Sequence, residues 1–245
     1  MYASVSLFPY GSIDSINGIF LRVTPNGWKI SIMLEECELP YKVIPLSLGA
    51  GDQFKPEFLA ISPNNRMPAI VDHDVAGDPQ SIFESGAILI YLAEKTGKFL
   101  SPDPKARWEA LQWLFWQIGG FGPMAGQLSH FVNYAQGEHD YPLNRYANEY
   151  DRLLTVMNGW LEDREFLAGD YSIADMAIWP WLLPYRRFEQ PLDHLPHVRR
   201  WHDTMKVRPA CRRGVDVGKE ERTFGKPMTD EAREVMFGQG KKAEE

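Results

Sequence analysis

The sequence predicts a two-part protein of mixed class, a small α/β domain followed by an all-helical one. Three observations carry that expectation. Strand and helix signals alternate through the first part of the 245-residue chain, and helical periodicity alone fills the stretch from Lys105 onward. Between them, Phe99-Leu100-Ser101-Pro102-Asp103-Pro104 reads as a linker. The chain also exceeds the usual size of one compact domain. The expected divisions are an extension over 1–18, a first domain over 19–98, the linker over 99–104, a helical domain over 105–218 and a tail over 219–245.

Each element has a local reason. Ile19 to Val23 is a short apolar run of residues that suit a strand, and it stops abruptly at Thr24-Pro25, an N-cap followed by proline at the first helical position. Ile30, Met33, Leu34 and Cys37 then repeat at helical spacing, so a strand feeds straight into a helix start. Tyr41 to Leu46 is a second strand, Gln53 to Ile61 a short helix, and Ala69 to Asp72 a third strand entered through Met67-Pro68. Gly77-Asp78-Pro79 marks a turn into a fourth strand, Ser81 to Phe83. Glu84-Ser85-Gly86 opens a helix that carries Ile88, Leu89 and Leu92 and ends near Gly97. The order is βαβαββα, a small mixed sheet with helices on its faces.

The second half shows helical repeats at Trp108, Leu111, Gln112, Phe115 and Trp116, then over Tyr150 to Leu161 and over Ser172 to Tyr185. Ser172-Ile173-Ala174-Asp175 is a capping box with Asp in place of Glu: the Ser oxygen takes a free backbone N–H and the carboxylate reaches back to the N-cap N–H. The glycine-rich stretch Gly119 to Gln127 interrupts a helix, and Thr229 to Phe237 predicts one short amphipathic helix with Ala232, Val235 and Met236 on one side.

Hydrophobic residues at 44% and charged residues at 24% describe an ordinary folded protein, and a net charge of −7 gives no basic field for nucleic acid or an anionic membrane. No membrane span is expected, and the segment from Met1 to Asp14 has neither the basic residues nor the apolar core of a signal peptide. Cys37 and Cys211 lie far apart in no metal or redox spacing, which points to a reducing, cytoplasmic setting. The six His residues show no HxxxH or HExxH spacing, so no metal is expected.

Four motifs stand in order. Thr24-Pro25-Asn26-Gly27, Ser62-Pro63-Asn64 leading to Arg66-Met67-Pro68-Ala69, Glu84-Ser85, and the Ser172 to Asp175 box together resemble the glutathione transferases over nearly the whole chain. The nu-class, and the related yeast prion-type nitrogen regulator, are nearest in pattern. The resemblance implies a thioredoxin-like domain ahead of the helical one, glutathione as cosubstrate, and a homodimer. It further implies glutathione-dependent disulfide reduction or thiol transfer on a small substrate. Two other functions stay open: conjugation of glutathione to a small electrophile, including aryl ether cleavage, and a non-catalytic glutathione-binding regulator.

The residue chemistry suits a tripeptide thiol. Glu84 offers a counter-charge to the γ-glutamyl ammonium, while Ser85 and the open N–H groups of its helix suit the adjacent carboxylate. Met67-Pro68 resembles the cis-proline step of thioredoxin-like folds, where the residue before proline turns its main chain toward a bound peptide. Gln53 and Arg66 are implied partners of the glycine carboxylate. At the first helix start the resemblance puts Thr24 and Asn26, hydrogen-bond donors to the glutathione sulfur, where other classes carry Tyr, Ser or Cys. A free thiol of pKa about 8.5 needs such donors to ionise at neutral pH. Cys37 falls on the apolar stripe of its helix and reads as core rather than nucleophile.

Overall fold

The computed structural model describes residues 17–221 and 228–238. The expected extension over 1–18 lies outside them except for its last two residues. β1 (Asn17–Leu21), α1 (Pro25–Cys37), β2 (Tyr41–Pro45), α2 (Pro56–Leu59), β3 (Ala69–Asp72), β4 (Gln80–Phe83) and α3 (Ser85–Thr96) form the first part, in the expected βαβαββα order. The four strands lie in the order β2-β1-β3-β4. β1 runs parallel to β2 and antiparallel to β3, which pairs antiparallel with β4, so Ile19 stands between Val43 and Ile70.

β1 starts and ends two residues before the expected strand. Val23 is buried but lies off the ladder, because the chain is already turning into α1. There Thr24 is extended, its Oγ1 accepts from the Gly27 N–H at 3.3 Å, and Pro25 begins the helix. The helix expected over Gln53 to Ile61 is two pieces, a 3₁₀ turn at Asp52–Phe54 and the single turn of α2. Pro56, lacking an N–H, ends the first and begins the second.

The helical part comprises α4 (Pro104–Trp116), α5 (Gly122–Asn133), α6 (Asp140–Trp160), α7 (Ile173–Ile178), α8 (Pro196–Val207), α9 (Pro209–Asp216) and α10 (Asp230–Phe237). Asp103 caps α4 by accepting from Ala106 N–H at 2.9 Å. The glycine-rich stretch joins α4 to α5 through a π-helical turn at Gln117–Phe121, so the helical path widens rather than breaks. The helix expected over Ser172 to Tyr185 stops at Ile178. A 3₁₀ turn, Trp179–Trp181, follows, and Pro180 and Pro184 have no N–H with which to continue an α ladder.

One apolar core crosses both parts. It holds Ile19 and Ile70 of the sheet, Ile30 and Met33 of α1, Ile173 and Met176 of α7, and Cys211 of α9. α1 is therefore covered nearly all round, and α9 approaches it so closely that a Cβ on Gly214 would stand 2.7 Å from the Ile32 backbone. Glycine is required there. The short tail helix matches its expected span and packs on Leu48–Ala50. Its Phe237 ring lies 4.9 Å from that of His130 and 5.4 Å from that of Tyr134 on the helical part.

Candidate active site

A cleft of about 790 Å³ opens between the sheet part and the helical part, where α1 and α3 both begin. Asn26, Arg66, Glu84 and Ser85, four of the residues singled out in the sequence, line it. Thr24, Gln53, Met67 and Pro68 do not. The helical part contributes Gln117, Gln127, His130 and Trp181 among others, and α10 contributes Phe237.

The start of α1 presents donors. Its first turn holds no acidic residue. The Thr24 hydroxyl accepts from Gly27 N–H, which leaves its own O–H to donate. Asn26 is fixed by a residue far along the chain: Trp181 Nε1 donates to Asn26 Oδ1 at 3.2 Å. An indole N–H only donates, so the amide oxygen must face Trp181 and the amide NH₂ is turned the other way. The side chain is thus oriented as a donor at a helix N-terminus, a combination that favours an anion.

The start of α3 is built differently. Glu84 occupies the N-cap with φ 69° and makes no capping bond of its own. A non-glycine residue at positive φ costs about 1–3 kcal/mol, and the backbone here holds the carboxylate out at the cleft instead of over the helix end. Ser85 is buried beneath it. Lys29, only 1% exposed, donates from Nζ to Ser85 Oγ at 3.2 Å and to Gln117 Oε1 at 2.6 Å. Burial pushes the Lys29 ammonium down to about 7, against the field of Glu84, which favours its charge.

Gln117 sits in the π-helical turn with its Nε2 buried and unpartnered. A Cβ on Gly122 would fall 2.5 Å from that nitrogen, so glycine is what admits the amide. Lys29, Gln117 and Trp181 were not singled out in the sequence. Only Lys29 carries a local signal, as a lone charge inside the apolar run from Trp28 to Leu34.

The remaining expected residues surround this centre. Arg66 is exposed and donates to Asn65 Oδ1 at 3.2 Å. The Met67–Pro68 bond is cis, as the motif implied, and Met67 Sδ accepts from Arg22 N–H at 3.0 Å. Gln53 is buried, donates to the Leu48 carbonyl at 3.2 Å, and has an unpartnered Oε1. Opposite the sheet, Gly122, Gly126 and Gln127 of the glycine-rich stretch form a wall with His130, whose imidazole is held below its ordinary pKa by burial first and by Arg233 and His139 next. Neither cysteine reaches the cleft. Cys37 and Cys211 are buried free thiols whose pKa values burial pushes up, that of Cys211 to about 11. Such thiols are inert.

A thioredoxin-like sheet domain fused to a helical domain, with an anion-ready helix start in the cleft between them, defines a class of glutathione-handling proteins. Residues 19–94 match the family model of the glutathione S-transferase N-terminal domain, and residues 127–209 match that of the C-terminal domain. The chain is 52% identical over 195 residues to the disulfide-bond oxidoreductase YfcG of Escherichia coli, covering 78% of this chain and 91% of that one. A glutathione transferase from Pseudomonas putida, solved with one glutathione disulfide bound per subunit, superposes with a TM-score of 0.81 at 42% identity, covering 85% of this chain and 94% of that one. One from Burkholderia graminis, with two glutathione molecules bound per subunit, gives 0.80 at 43% identity over 84% and 89%. The chain belongs to the glutathione S-transferase family.

Proposed function

We propose that this enzyme is a glutathione-dependent disulfide reductase and thiol transferase that activates the glutathione sulfur without a cysteine of its own. The observation that carries this is the open start of α1, with the Asn26 amide oriented by Trp181 and both cysteines buried away from the cleft. The similarity to a disulfide-bond oxidoreductase, and to structures holding glutathione disulfide or two glutathiones, supports the same chemistry.

Asn26 and Thr24 act on sulfur, stabilising the thiolate. Glu84 and Ser85 take the γ-glutamyl end, Met67 and Pro68 the peptide backbone, and Gln53 and Arg66 the glycine end. The bound thiolate, or a second one arriving beside it, attacks a disulfide in line. The new sulfur–sulfur bond forms as the old one breaks, and the departing thiolate takes a proton from solvent. The glutathione-binding domain is 19–98 and the helical domain 105–218.

The enzyme is nu-class-like, cytoplasmic and a homodimer. Trp108 and Phe115, seven residues apart on α4 and 64% and 62% exposed, offer an apolar face to a second copy. Sedimentation of the wild type against a Trp108→Glu/Phe115→Glu variant tests that assembly.

Reaction class is tested by one comparison under saturating glutathione, using a small mixed disulfide, an electrophilic aryl halide and a β-aryl ether. Highest turnover on the disulfide supports the proposal. Preference for either electrophile overturns it in favour of conjugation, and retained binding with no turnover overturns it in favour of a regulator.

A further inference from the structure

We propose that Lys29, seated on Gln117 below Ser85, is the cation of the carboxylate subsite for the γ-glutamyl end, and that it takes up a proton when that carboxylate arrives. This rests on the assignment of the cleft to glutathione. Two features place a charge there. Lys29 lines the cleft although only 1% of it is exposed, and its Nζ already donates to the hydroxyl at the head of α3. Gln117, fully buried, lends Oε1 to Lys29 and keeps its own Nε2 unpartnered in the same cleft. The unpartnered Gln117 Nε2, together with the third hydrogen of a protonated Lys29 Nζ, lies under a helix N-terminus and makes an anion site.

The charges nearby explain why the proton comes with the ligand. Glu84, at the head of α3, is the charged group whose field acts on Lys29. Arg208, at the N-cap of α9, and Arg213 on α9 are engaged with Glu36 and Glu35 toward the other end of α1. On α7, Asp175 is bound by Trp201, Leu167 and Ser172. The π-helical turn and the 3₁₀ turn at Trp179–Trp181 bring no charge. Without a ligand, burial leaves Lys29 titrating near 7, half-neutral around neutral pH. An incoming carboxylate adds a second opposite charge to that of Glu84 and restores the ammonium. The γ-glutamyl zwitterion then meets its mirror, ammonium on Glu84 and carboxylate on Lys29 and Ser85, so the subsite selects an α-amino acid head group rather than a simple anion.

The probe is S-methylglutathione, which has no thiol to ionise. Calorimetry of its binding at pH 8 in buffers of different ionisation enthalpy should show uptake of roughly half a proton or more per site. Lys29→Met should abolish that uptake and weaken binding by about tenfold or more, with Lys29→Arg recovering part of the affinity. Wild-type binding with no uptake overturns the proposal, as does a folded Lys29→Met variant of unchanged affinity. Failure of the wild type to bind S-methylglutathione or glutathione at all overturns the assignment of the cleft itself, and so separates the two claims. The wild-type uptake needs no variant to fold.

Discussion

Two helix starts in this molecule use the same residue chemistry toward opposite ends. At α7, Ser172 caps the helix through Ala174 N–H, and Asp175 closes the box. Asp175 accepts from Ser172 N–H at 3.0 Å, from Leu167 N–H at 3.2 Å and from Trp201 Nε1 at 2.8 Å, all buried. At α1, Thr24 caps through Gly27 N–H, but no carboxylate closes the turn and the side chains of Thr24 and Asn26 stay as donors. A helix start that supplies its own anion is a strut. One that withholds it is a site for someone else's.

The contrast is broken most severely at the strut. Asp175→Ala leaves two backbone N–H groups and the Trp201 indole without acceptors in the core, and such a loss costs about 3–5 kcal/mol. Urea denaturation should show a large fall in midpoint, while folded molecules keep their turnover. An equal fall in glutathione binding by folded protein would remove the distinction between strut and site.

Two buried ionisable groups sharpen it. Burial pushes Asp175 up to about 6 and Lys29 down to about 7, but four donors hold the carboxylate while only the field of Glu84 favours the ammonium. Between about 7 and the ordinary 10.5, Lys29 is deprotonated in the folded chain and protonated in the unfolded one. The unfolded state binds the extra proton, so Lys29 makes the ligand-free enzyme more stable as pH rises through that window, by up to about 1.4 kcal/mol per pH unit. Urea midpoints at two pH values inside the window should rise for the wild type and lose this increment in Lys29→Met.

Smaller effects belong to the open helix start. If Asn26 donates to the glutathione thiolate as proposed, Asn26→Ala removes a hydrogen bond of about 1.5–3 kcal/mol, so kcat/KM on a mixed disulfide should fall by roughly one to two decades with stability nearly unchanged. Trp181→Phe keeps Asn26 but frees its amide to turn. The expected loss is about 0.5–1.5 kcal/mol, severalfold in rate, and an effect larger than that of Asn26→Ala would mean Trp181 acts some other way.

What could be read in the sequence was what the chain decides locally. α1 with its Thr24-Pro25 start, the βαβαββα succession along the chain and the Ser172 to Asp175 box all follow from neighbours within a few residues. Prolines set the errors: Pro56 split one expected helix, and Pro180 and Pro184 ended another early. The cleft was legible only by half. Asn26, Glu84, Ser85 and Arg66 sit in motifs, but Lys29 meets Ser85 across 56 residues and Gln117 across 88, and Trp181 meets Asn26 across 155. No periodicity records such meetings, because tertiary packing of the helical part onto α1 creates them. Gln117 in particular depends on a π-helical turn and on the bare backbone of Gly122, neither of which has a sequence period.

The central claim is that protein hydrogen bonds alone ionise the sulfur. It is tested in a Cys37→Ala/Cys211→Ala variant, where the only thiol in the complex belongs to glutathione. The ultraviolet absorbance of the bound thiolate is titrated against pH, and turnover of a mixed disulfide is measured on the same preparation. An ionisation well below the free-thiol value of about 8.5, with turnover kept, is the result expected. An ionisation at or above that value, or a folded, glutathione-binding variant with no turnover, would contradict it.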